Sequence, residues 1–138
     1  MTTMKRLLIG TTVAIGLLLV VSMRPEPQAQ PEEWVVPAKY QKLENPSRGN
    51  TESLGTGKML YKKHCASCHG NTGMGDGVKA RTLDTPSGDF TDEEFQSQTD
   101  GALFYKIKSG RNDMPKFDSK IEDEDVWLVI NYIRTLKK

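Results

Sequence analysis

Five consecutive residues, Cys65-Ala66-Ser67-Cys68-His69, bring together two thiols and an imidazole at a spacing that suits one redox group. Thiols separated by two residues sit side by side on a single helical turn. A histidine directly after them can then ligate a metal held between. C-x-x-C-H is the attachment signature of c-type haem: each thiol forms a thioether with a haem vinyl group, and the histidine becomes the proximal iron ligand. Cys65, Cys68 and His69 are therefore candidate cofactor-binding residues, with His69 also a metal ligand. The motif uses both cysteines, so no structural disulfide is expected. Two other chemistries use related spacings. A thioredoxin-like redox pair belongs beside a βαβ pattern, and none is visible. A zinc site would need a second pair of ligands, whereas the chain has only one other histidine, His64. His64 adjoins Cys65, so helical geometry turns it away from the iron and towards solvent.

Around this motif the chain resembles the monohaem class I cytochromes c. The resemblance covers residues 53–138. It rests on Gly57-Lys58-Met59-Leu60-Tyr61 before the motif, residues 65–70 themselves, Gly75-Asp76-Gly77 after it, Met114-Pro115, and a final helix ending in Tyr132-Ile133-Arg134. It implies an all-α fold, the small class I cytochrome c arrangement of helices packed around one covalently attached haem c and its iron. The implied activity is electron transfer between redox partner proteins, with no enzymatic reaction and no small-molecule substrate. Gly57 and Tyr61 are expected to pack on the C-terminal helix. A proline carbonyl that accepts the second N–H of the proximal histidine is expected at Pro86, the only proline between the motif and Met114.

The resemblance also points to a methionine as sixth iron ligand. Met1, Met4 and Met23 lie in the leader, Met59 precedes the motif, and Met74 is only five residues past His69, too near to pass the ring edge. Met114 lies 45 residues downstream, is followed by a stiffening proline, and occupies the Met-Pro position of the family. His69 and Met114 are thus the expected metal ligands. A thioether and an imidazole leave the iron no vacancy, and sulfur favours the ferrous state, which suits a respiratory carrier. The alternative is a haem enzyme or gas-binding module, peroxidase-like, which needs a displaceable sixth ligand; carbon monoxide would discriminate the two.

The surrounding pattern supplies elements to position these groups. A helix capped by Ser53 or Thr56 should run into the motif. Four glycines between residues 70 and 77 mark a loop with special backbone angles, and Phe90 should return to the haem wall. Thr91 is the expected cap of a short helix at 92–96, and Asp100 that of another at 101–108, which Gly110 closes. On the latter, Leu103, Phe104 and Ile107 share a face. The last helix, expected at 122–136, has acids in its first turn, bases in its last, and an apolar stripe of Val126, Val129, Ile130, Ile133 and Leu136.

The remainder of the chain bears on location. Lys5 and Arg6 precede an uncharged run at residues 7–23, a basic start and apolar run typical of export. Its seventeen residues just suffice to span a bilayer, and no good cleavage site follows. Residues 1–23 are read as a signal anchor or signal peptide, 24–52 as a proline-rich tether holding five of the seven prolines, and 53–138 as the cytochrome domain. The haem domain is then expected on the periplasmic side of the cytoplasmic membrane, attached through its N-terminal segment as a carrier or small subunit of a respiratory complex. Cleavage would make it periplasmic. Trp34, Val35, Val36 and Tyr40 are too apolar for a pure linker and are expected to dock on the domain as a clasp. Beyond residue 23 the chain has 17 basic and 18 acidic residues, which excludes a nucleic-acid footprint.

Overall fold

The computed structural model describes residues 33–138; the leader and most of residues 24–33 lie outside the described residues. Trp34–Lys138 forms one compact unit. Its described residues form short helices with no β-strand: α1 (Ala38–Gln41), α2 (Leu54–His64), α3 (Ala66–His69), a 3₁₀ turn at Ala80–Thr82, α4 (Glu93–Gln96), α5 (Asp100–Ser109) and α6 (Asp123–Arg134).

The core is built on α6. Its first turn carries Asp123, Glu124 and Asp125 and its last Arg134, so both ends complement the helix dipole. Val126, Val129, Ile130 and Ile133 recur on one face and are buried, and Trp127 beside them stacks on Phe104 of α5 with ring centroids 4.3 Å apart. The helix stops before Leu136, which nonetheless packs against the core.

Helix α2 lies against α6 and buries only Gly57 and Tyr61, four residues apart on one face. A Cβ at Gly57 would fall on the carbonyl oxygen of Leu128, so only glycine permits this approach of the two backbones. Tyr61 is fully buried, and its hydroxyl donates to the carbonyl of Gly70 at 2.7 Å. Burial, and secondarily the nearby Cys65, push its phenol well above the usual range. The α2–α6 contact thus also pins the residue that follows His69.

Two caps differ from expectation. Thr99, not Asp100, caps α5, its hydroxyl accepting from the Ala102 amide at 3.1 Å; Asp92, not Thr91, caps α4, accepting from Phe95 at 2.8 Å. In each case the extended backbone of a cap belongs to the neighbouring residue. Thr91 instead donates to Asp89 through both amide and hydroxyl, and Asp100 turns inward.

The N-terminal segment departs further from expectation. Residues 34–52 are not a free tether: α1 lies along α5, Tyr40 packs on Tyr105 with centroids 4.8 Å apart, and Asn45 is buried. The expected clasp docks through Trp34 and Tyr40, whereas its Val35 is 76% exposed, and of the expected tether only residues 24–33 precede the packed unit. Among the described residues, no helix is long and apolar enough to cross a membrane.

Candidate functional site

Cys65 joins the two helices that form the motif. Its amide donates to Tyr61 at 2.8 Å, closing α2, and its carbonyl accepts from Cys68 at 3.1 Å and His69 at 2.9 Å, opening α3. The single turn expected from the spacing is therefore present. Both cysteines are half-buried free thiols. Burial, and then the neighbouring Cys68, push the Cys65 thiol up to about 12. That holds Cys65 neutral, the opposite of the exposed thiolate used in thiol–disulfide exchange.

The glycine-rich loop hangs on this turn. Lys79, Gly77 and Gly75 donate to the carbonyls of Ser67, Cys68 and His69 at 2.8, 3.2 and 2.9 Å. These carbonyls end a four-residue helix and have no intrahelical partner, so the loop satisfies them and fixes the motif from behind.

The His69 ring stacks on Phe90 (4.3 Å, 27°), which stacks in turn on Phe95 (4.3 Å, 26°). Phe90 is thus part of the site wall, as expected, and Phe95 is an addition that its exposed, acidic helix concealed. Nδ1 of His69 is buried without a partner at full hydrogen-bond geometry, but the backbone of Ser87 is near enough to favour a proton on the ring. Only a carbonyl acceptor acts in that direction. The hydrogen bond expected from Nδ1 to the carbonyl of Pro86 is not formed. Desolvation is larger and takes the imidazole down to about 4, so it is neutral, the form that ligates metal.

Met114 ends a tight hairpin. Arg111 and Met114 exchange both backbone hydrogen bonds at 2.9 Å, across a turn in which Asn112 takes a left-handed φ of 50°. The hairpin is held from the side as well: Asp113 accepts from the Thr85 amide at 2.9 Å, and the Asn112 side chain donates to the Thr85 hydroxyl at 3.4 Å. The loop that brings Ser87 to His69 is thereby tied to the hairpin that carries Met114. This link was not read from the sequence; the Asn112-Asp113 turn pair was its one local signal. Met59 and Met74 are 62% and 47% exposed, whereas Met114 packs against the hydrophobic core together with Cys65 and Ala66. His64 is half-buried, set edge-on to Phe117 at 6.0 Å, rather than on the open surface expected for it.

These groups suit a covalently held haem: two unpaired thiols one turn apart, a neutral imidazole with a buried Nδ1, and a half-buried thioether packed against the core. Among the described residues, no group of three or more His, Cys, Asp or Glu side chains could hold a bare metal ion.

Comparison with known proteins follows the same lines. Residues 52–133 match the family described as cytochrome c oxidase, cbb3-type, subunit III. Over 80 residues, 58% of this chain, the sequence is 30% identical to cytochrome c6 of Gracilaria tenuistipitata var. liui, covering 69% of that protein. Among solved structures, the KustC0563 c-type cytochrome superposes with a TM-score of 0.53 at 30% identity, covering 59% of this chain and 98% of that one. A chain of the Kuenenia stuttgartiensis reducing HAO-like protein complex Kustc0457/Kustc0458 superposes with a TM-score of 0.58 at 26% identity, over 64% of this chain but only 45% of that one.

Proposed function

The chain belongs to the family described as cytochrome c oxidase, cbb3-type, subunit III, and is a monohaem class I c-type cytochrome that transfers electrons; from that footing we propose that it is a membrane-tethered carrier with histidine and methionine as axial ligands. Its cofactor is one covalently bound haem c, which supplies a one-electron iron couple. In this reading Cys65 and Cys68 make the thioethers, His69 is the proximal ligand and Met114 the distal one. Phe90 stacks on the His69 ring and walls the site on that side.

The observation that carries the reading is the contrast among methionines: of the three described, Met114 alone packs against the hydrophobic core, held by a hairpin tied to the loop at Thr85. A site closed on both faces moves electrons without binding a substrate, so the protein acts as a carrier rather than an enzyme. Its partners are redox proteins of a respiratory chain, met outside the cytoplasmic membrane, to which residues 7–23 attach it.

One experiment tests the ligand set. Oxidised protein should show the weak near-infrared sulfur-to-iron band, and its reduced form should bind carbon monoxide poorly. Met114→Ala should lose the band and gain carbon monoxide binding, while Met59→Leu and Met74→Leu keep the wild-type behaviour. Ready carbon monoxide binding by the wild-type protein would instead favour a haem enzyme or gas-binding module.

A further inference from the structure

An N-terminal arm, residues 34–48, precedes the family-matched segment and is fastened along α5 at three points. At its far end the buried Asn45 side chain donates to Asp100 at 3.0 Å and to Asn131 at 2.9 Å, and Asn131 donates to the Ser47 carbonyl at 2.6 Å. In the middle, Tyr40 meets Tyr105, and Gly101 leaves the room that the arm's backbone fills: a Cβ there would collide with the carbonyl oxygens of Tyr40 and Leu43. At the near end the Trp34 ring has Lys106 Nζ at 5.5 Å and Arg111 Cζ at 5.6 Å from its centroid. Both lie within reach of cation–π attraction.

Arg111 is the residue that exchanges both backbone hydrogen bonds with Met114. Its side chain is therefore gripped by the arm while its main chain sets the position of the methionine. Lys106, on the last turns of α5, gives the same ring a second hold on the helix from which the hairpin springs. The other side of the hairpin is held by Thr85.

We propose that Trp34 is a positioning residue for the sixth ligand: the arm clamps the Arg111–Met114 hairpin through Arg111 and keeps the Met114 sulfur in place. The inference rests on reading Met114 as a ligand. The ligand-on state and a state with the hairpin swung out are two conformations in equilibrium, and Trp34 contacts favour the first. Any partner or membrane contact that draws the arm away would loosen Met114, so attachment and ligation are coupled.

The test uses full-length holoprotein with Trp34→Ala, Trp34→Tyr and Met114→Ala. Loss of both cation–π contacts should raise the ligand-off population about tenfold. Carbon monoxide binding to reduced Trp34→Ala should speed up by that factor, and amide exchange at Arg111 and Met114 should rise with it relative to the buried Ile130 amide. Trp34→Tyr, which keeps an aromatic face, should recover most of both. Unchanged carbon monoxide binding and exchange in Trp34→Ala would overturn the proposal. So would faster exchange spread equally to Ile130, because that is general destabilisation. If Met114→Ala binds carbon monoxide no better than wild type, the ligand assignment fails instead, and exchange at Arg111 and Met114 still decides whether Trp34 holds the hairpin.

Discussion

Asp100 shows how far a single residue's role can depend on partners distant in sequence. It is 4% exposed, yet Arg134 bonds one of its oxygens through two nitrogens at 2.7 and 2.9 Å, and Asn45 and Arg48 meet the other at 3.0 and 3.3 Å. Burial by itself would raise its pKa; the hydrogen bonds from Arg134 and Asn45 and the charges of both arginines outweigh it, and the carboxyl sits below its ordinary value. A carboxyl depressed in the folded state stabilises it above the unfolded pKa and loses that contribution as pH falls through the folded one. The melting temperature should accordingly drop as pH is taken below about 4, the unfolded value. Asp100→Asn should be less stable at neutral pH but show a shallower loss in acid, and equal acid slopes in a pH series of thermal melts would contradict this. Removing Arg134 should cost about 3 kcal/mol, because it leaves one oxygen of a buried carboxylate unpaired, with only Asn45 and the exposed Arg48 on the other. The sequence revealed Cys65, Cys68 and His69 because their chemistry is written in local spacing. It misassigned Asp100 as a cap because its partners lie 34 and 55 residues away, and nothing local announces them.

At the scale of elements, periodicity made α6 and the buried face of α5 legible, since both rest on residues within two turns of each other. Cap positions slipped by one residue because adjacent Thr and Asp are both good caps, and tertiary contacts choose between them. The bond expected from the proximal imidazole to Pro86 is not formed, in a loop without a repeating pattern to fix its register. Glycines on α2 give a sharper test of what the element does. Gly57 touches the α6 backbone, whereas Gly55, two residues earlier, has open space around it. Gly57→Ala should overpack the crossing by about 2 kcal/mol and lower the melting temperature by about 10 °C. Gly55→Ala should raise stability by about 0.5 kcal/mol through helix propensity. The opposite signs, read by thermal denaturation of the two holoproteins, separate backbone contact from propensity; similar shifts would argue against a tight α2–α6 crossing.

For the whole molecule, the structure moves the border between domain and tether. The packed unit begins at Trp34, and this was half-visible in sequence: the apolar Trp34 and Tyr40 argued for docking, but the prolines around them read as linker. Burial of Asn45 had no local signal at all, because an asparagine after proline-rich chain ordinarily sits in solvent. If residues 7–23 anchor the chain, residues 24–33 separate that anchor from the packed unit, and ten residues span at most about 35 Å. A connection this short would keep the haem domain close to its neighbours in the membrane and raise its effective concentration there. Two deletions separate tether from arm. Removing residues 24–33 should slow electron delivery to membrane partners while leaving the melting temperature and the near-infrared band as they were. Extending the deletion to residue 48 should in addition lower stability by about 3 kcal/mol, since Asp100 then loses Asn45 and Arg48 and Asn131 loses both its partners. If the shorter deletion already destabilises the domain as much as the longer one, the packed unit does not begin at Trp34; if it leaves electron delivery unchanged, residues 24–33 are not a tether.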